Sequence, residues 1–119
     1  MGNIHFKGAR DTVSVKVTAK LPQDLGKTMS VPFHCKFKVP DRPTAQQITK
    51  DAAAGKLTDD EIIREYLVGW DRLLDADEQP VEFSTENLDE LLTIGPYQAA
   101  IVNGFLELLY GREALRQKN

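Results

Sequence analysis

The chain has 119 residues, enough for one domain that buries roughly two-thirds of its unfolded surface without disulfides or metals. Its formal charge of -3 leaves no overall basic footprint for nucleic acid, and the lone Cys35 excludes an internal disulfide and points to a reducing compartment. The start, Met1 to Lys7, lacks the apolar run of a signal peptide; no segment approaches the ~20 apolar residues that span a bilayer; and Phe6 stands where the myristoylation pattern opened by Met1-Gly2 needs a hydroxyl.

The first part reads as sheet. Val13, Val15 and Val17 alternate with Ser14, Lys16 and Thr18, the period of a half-buried strand. Met29, Val31, Phe33, Cys35, Phe37 and Val39 alternate in the same way with Ser30, His34, Lys36 and Lys38. Turn chemistry separates the two runs at residues 21–27, so an antiparallel hairpin is expected over about residues 12–39, with one apolar face and one basic-polar face. Pro32 donates no ladder hydrogen bond and predicts an edge or bulge at that point.

After Pro40 and Pro43 the period becomes helical, and residues 44–111 are expected to be mainly helix. Thr44 with Gln47 and Thr58 with Glu61 are capping-box patterns, opening helices over about 45–54 and 59–68. The second carries Ile62, Ile63, Tyr66 and Leu67 on one face, with Asp59, Asp60 and Glu61 at its positive end. Gly69-Trp70 is expected to end it, with Trp70 in the core. Val81 and Phe83 about Glu82 read as a short strand, a candidate third member of the sheet. Ser84 or Thr85 caps a helix with Leu88, Leu91, Leu92 and Ile94, and Gly95-Pro96 breaks it. The last helix runs from about 97 to 110, with Gly111 as its C-cap and a frayed charged tail at 112–119. The fold expected is α+β in one domain: an N-terminal hairpin or small sheet, then about four helices.

Candidate chemistry is thin. Asp75, Asp77, Gln79 and Glu86 fall at calcium-loop spacing, but Pro80 stands where the sharp turn wants glycine, and no metal is expected there. His34 and Cys35 are adjacent on a strand and point to opposite faces, so they make no nucleophile-base pair, and no catalytic residue or cofactor is expected. Lys16, Lys20, Lys36 and Lys38 line the outer face of the hairpin and read as a soluble surface. The best interaction candidate is the last helix. Tyr97 and Tyr110 are expected at its surface, and Val102, Leu106 and Leu109 make its apolar coverage wider than one stripe, as a helix with a second partner requires.

Several elements in order carry a resemblance: Val31-Pro32-Phe33-His34-Cys35-Lys36-Phe37-Lys38, Gly69-Trp70-Asp71, Pro80-Val81-Glu82-Phe83-Ser84, Glu86-Asn87-Leu88 and Ala99-Ala100-Ile101-Val102. Over about residues 13–119 the chain resembles the tail assembly chaperones of long-tailed, non-contractile bacteriophages. It departs at Glu78-Gln79, where a glycine is expected. The resemblance implies a non-enzymatic protein of the infected or lysogenic host's cytoplasm, absent from the mature virion. Such a protein coats the tape measure protein, helps recruit tail tube protein and self-associates, with neither nucleic acid nor membrane as partner. It also implies a longer form made by ribosomal frameshifting. Gln117-Lys118-Asn119 fits that, because the codons CAA AAA AAC would contain a slippery run. The alternative is a minor tail or tail-completion protein retained in the virion.

Overall fold

The computed structural model of the chain describes residues 4–110. The expected C-cap Gly111, the tail at 112–119 and the Gln117-Lys118-Asn119 run lie outside the described residues. The fold is α+β: an antiparallel three-stranded sheet covered on one face by four helices.

Strand β1 (Thr12–Pro22) pairs along its whole length with β2 (Thr28–Lys38), from Thr12 opposite Lys38 to Pro22 opposite Thr28. A short 3-10 turn at Asp24–Gly26 joins them, closed by positive φ at both Leu25 and Gly26. The alternation does what the pattern requires. Val17, Ala19, Phe33, Cys35 and Phe37 are buried on the inner face, while Lys16, Lys20, Lys36 and Lys38 stand on the outer one.

The third strand is not at residues 81–83, as expected, but at β3 (Leu67–Asp71), antiparallel to β2 from His34 opposite Asp71 to Phe37 opposite Leu67. A bulge between Lys36 and Phe37 fits the shorter strand to its neighbour. Because β3 stops at His34, β2 has no neighbour on that side at Pro32, which is the edge position its missing N–H needs. Residues 81–83 instead run beside the sheet: Trp70 Nε1 donates to the Val81 carbonyl at 2.7 Å, and Val81 N donates to the Leu73 carbonyl.

Helix α1 (Arg42–Ala53) is capped by Asp41, whose carboxylate accepts from Thr44 N at 2.9 Å; Thr44 is therefore inside the helix, not its cap. Pro43 sits in the first turn, where no N–H is missed. Helix α2 (Asp59–Tyr66) has the expected Thr58–Glu61 capping box but ends two residues early, because Leu67 and Val68 already belong to β3. Ser84 caps α3 (Thr85–Leu91) through Asn87 N. Helix α4 (Gly95–Tyr110) begins at the Gly-Pro break itself, with Pro96 in its first turn. It lies across β1 and β2, and with α2 encloses the core: Phe37 meets Phe105 at 5.3 Å between ring centroids, and Tyr66 stacks on Phe105 at 4.9 Å.

Candidate partner-binding grooves

Helix α4 is the platform for any site. Its sequence is apolar almost all round, and only part of that surface is consumed by the core. Ala100, Ile101, Gly104 and Phe105 face the sheet. Val102 is 7% exposed and belongs to the core, so the expectation that it meets a partner is corrected: neighbouring elements have already covered it. Leu106, Leu109, Tyr110 and Tyr97 remain half-buried.

These residues do not form one patch. Thirteen residues of helix separate Tyr97 from Tyr110, about 20 Å along the axis, and they project from different sides. Each end of α4 borders its own groove. At the start, Leu73, Leu74, Val81, Leu91, Ile94 and Tyr97 line an apolar groove of about 270 Å³, with Asp75 and Glu90 on its rim. Leu74 and Ile94 are 44% and 41% exposed there. The Tyr97 ring closes the inner wall against Phe33, 5.7 Å between centroids, and burial pushes its hydroxyl pKa up. At the other end, Val39, Pro40, Ala45, Leu108, Leu109 and Tyr110 line a wider groove of about 510 Å³ beside α1. The Tyr110 hydroxyl donates to the Thr49 hydroxyl and ties the end of α4 to α1.

No family model, curated protein or solved structure matches this chain.

The titratable groups are arranged for structure. Asp75 Oδ1 accepts from Asp77 N and Gln79 N, both at 2.9 Å, so this carboxylate is spent on holding its own turn, and Pro80 bridges back to Leu74. Among the described residues no three His, Cys, Asp or Glu side chains converge as metal ligands. Cys35 is buried beside Phe33 and Phe37, and burial pushes its thiol up to about 12. His34 points to the other face, where its Nδ1 lies 4.0 Å from Asp71 Oδ2. No helix among the described residues is long and apolar enough to cross a membrane.

Sequence reasoning identified Tyr97, Leu109 and Tyr110 but missed Leu74, Ile94 and Val39 as groove walls. Leu74 and Val39 sit at element ends, where no period marks a face. Ile94 looks like the last core position of α3, yet it lies in the turn after that helix.

Proposed function

We propose that this chain is a tail assembly chaperone of a long-tailed, non-contractile bacteriophage, non-catalytic, acting in the host cytoplasm and leaving before the virion matures. The observation that carries the reading is the pair of open apolar grooves at the two ends of α4, on a domain whose elements follow the order of the resembling motifs. A tape measure protein is a very long helix with apolar stripes that aggregates when bare. A small domain with shallow grooves can cover such stripes in helix-in-groove fashion, with an acidic rim at Asp75 and Glu90 suited to basic residues flanking the stripe. Each contact is modest and the coat holds by multivalency, so it can be stripped off as tail tube protein polymerises. Self-association of copies, and a frameshifted longer form that adds a tape-measure-binding part, complete the assignment.

The test is to read the neighbouring genes for a very long, helix-rich protein and to co-express that protein with this chain. The expected result is that the tape measure becomes soluble and co-purifies with this chain, and that purified virions lack it. Failure to co-purify, with the chain present in virions, would establish instead a tail or tail-completion protein that stays in the particle.

A further inference from the structure

The sheet has two edges, and they are built differently. The β3 edge is five residues long, and its pairing with β2 is interrupted by a bulge. The β1 edge is eleven residues long and pairs with β2 without a bulge. Two prolines fix which of its backbone groups point outward. In an antiparallel pair, opposed residues alternate between exchanging both hydrogen bonds and exchanging none, and a proline suits only the second kind. Pro32 lies opposite Thr18 and Pro22 opposite Thr28, so both prolines fall on the same parity of the ladder. Ser14, Lys16, Thr18 and Lys20 share that parity and turn their N–H and C=O groups away from β2. No described residue bonds to these backbone groups. All four residues are exposed. Helix α4 crosses the inner face of the sheet and leaves the edge open. Between edge and helix lies a cleft of about 340 Å³, with Lys16, Thr18, Ala100, Asn103, Gly104 and Glu107 among its walls. Long sheet edges are ordinarily blunted by bulges, prolines or a covering element. Among the described residues, β1 has none of these before its last residue, Pro22.

We propose that the β1 edge captures an extended acidic peptide segment, which adds to the sheet as a fourth strand. The three surfaces it meets define it. The outward N–H and C=O groups recur every second residue, about 6.8 Å apart, and only an extended backbone offers partners at that repeat. On the outer face the segment runs beside Lys16 and Lys20, and Lys36 stands on the same face opposite the small Ser14. Lys16 and Lys36 have no carboxylate partner among the described residues, so Asp or Glu at alternate positions of the segment completes cross-strand pairs with this row. On the inner face the cleft is floored by Ala100 and Gly104, which leave room for short side chains such as Ala, Val or Thr. A second copy of this chain is a poor occupant. Antiparallel β1–β1 pairing about Thr18 sets Lys16 of each copy opposite Lys20 of the other, like charge against like. None of the cleft residues lines either apolar groove, so edge and grooves can be filled independently.

The experiment uses the full chain and a fluorescein-labelled nonapeptide that alternates valine and glutamate. Fluorescence anisotropy should show binding at low salt. Replacing the glutamates by lysines, or Lys16→Glu/Lys20→Glu in the protein, should weaken it about tenfold. N-methylation of either the glutamate or the valine amides should abolish binding while methylation of the other set spares it, because only one set faces β1. Hydrogen exchange followed by NMR supplies the second reading. In the free protein the amides of Val15, Val17 and Ala19 should exchange slowly and those of Lys16, Thr18 and Lys20 fast; the peptide should slow the second set. Thr18→Pro removes an outward N–H only, so it should stay folded and lose the peptide. No anisotropy change at about 1 mM protein, which excludes even millimolar affinity, overturns the proposal. So does binding that tolerates methylation of both sets or leaves the Lys16, Thr18 and Lys20 amides unprotected. Protection of those amides that grows with protein concentration alone would give the edge to a second copy and overturn it. A single-stranded oligonucleotide that binds through Lys16 and Lys20 and displaces the peptide would assign the row to phosphate, with the same consequence. The grooves take no part in these measurements, so failure here leaves the function proposed above standing.

Discussion

Gly104 of α4 lies directly against Val17 of β1, so close that a Cβ at position 104 would overlap Val17 Cγ1. The missing side chain sets how deeply the helix sinks onto the sheet. Alanine here gains about 1 kcal/mol of helix propensity. Forcing apart a stiff β-branched side chain and a packed helix costs about 1–3 kcal/mol. Gly104→Ala is therefore expected to be neutral to destabilising by up to about 2 kcal/mol, seen as a melting midpoint unchanged or several degrees lower. The double variant Val17→Ala/Gly104→Ala should lose less than the sum of the two single changes, since removing Cγ1 makes room for the new methyl. A Gly104→Ala protein more stable than wild type by the full helix-propensity gain of about 1 kcal/mol would mean that helix and sheet are not in this register.

The turn between β3 and α3 offers a second check. Glu78 takes a φ of 62°, the left-handed region, at the place where the family resemblance leads one to expect glycine. Left-handed backbone costs a non-glycine residue about 1–2 kcal/mol, and glycine's extra freedom in the unfolded chain takes back about 0.5–1. Glu78→Gly should be neutral to stabilising by up to about 1.5 kcal/mol. Asp75→Ala should cost about 1 kcal/mol, because the amides of Asp77 and Gln79 lose their acceptor. Equilibrium urea unfolding decides both, and a destabilised Glu78→Gly would refute the turn geometry.

Local signals made much of this fold legible, and non-local ones did not. The hairpin followed from alternation alone, because the burial of Val17, Phe33, Cys35 and Phe37 on one face is a property of each strand. The Thr58–Glu61 box and the Ser84 cap were equally local. Strand β3 was not. Leu67 and Trp70 continue the apolar spacing of α2, and only hydrogen bonding to β2, some thirty residues earlier, makes them strand. Asp41 is masked as a cap in the sequence because Thr44 with Gln47 offers the fuller capping pattern, whereas Pro43 already sits within the first turn of α1. For the grooves, the wide apolar surface of α4 was visible, but its division into core and free faces depends on what packs around it. Nothing in the order of residues separates Val102 from Leu109.

That division is testable. Leu74→Ser/Ile94→Ser alters half-buried groove walls and should cost about 1 kcal/mol per site, leaving the domain folded. It should nevertheless reduce co-purification with the tape measure protein proposed as its partner. Val102→Asp places a charge in the core and should unfold the domain or cost more than about 3 kcal/mol. Circular dichroism melts alongside pull-downs separate the two effects. Loss of partner binding only in proteins that also unfold would remove the groove from consideration.

The buried thiol gives the fold an alkaline limit. Cys35 is fully buried, and desolvation raises its pKa from 9.0 to about 12. In the unfolded chain the thiol ionises near its ordinary value; in the folded chain it stays protonated. Between those two values the unfolded state binds fewer protons, so stability falls as pH rises. The contribution is fully present below about pH 9 and is lost on the way to about 12. At 1.36 kcal/mol per pKa unit the full loss is on the order of 4 kcal/mol, a large share of a small domain's stability. Tyr66 and Tyr97, whose hydroxyls are also pushed up by burial first of all, act in the same direction above pH 10. The urea midpoint should therefore hold steady from pH 7 to pH 9 and drop steeply above it. Cys35→Ala loses some packing at every pH but should flatten the first part of that drop. Thiol labelling provides an independent reading: at neutral pH Cys35 should react only at the rate of unfolding. Labelling within seconds at pH 7, together with a urea midpoint unchanged between pH 9 and 11, would show that Cys35 is not enclosed between β2 and the helices.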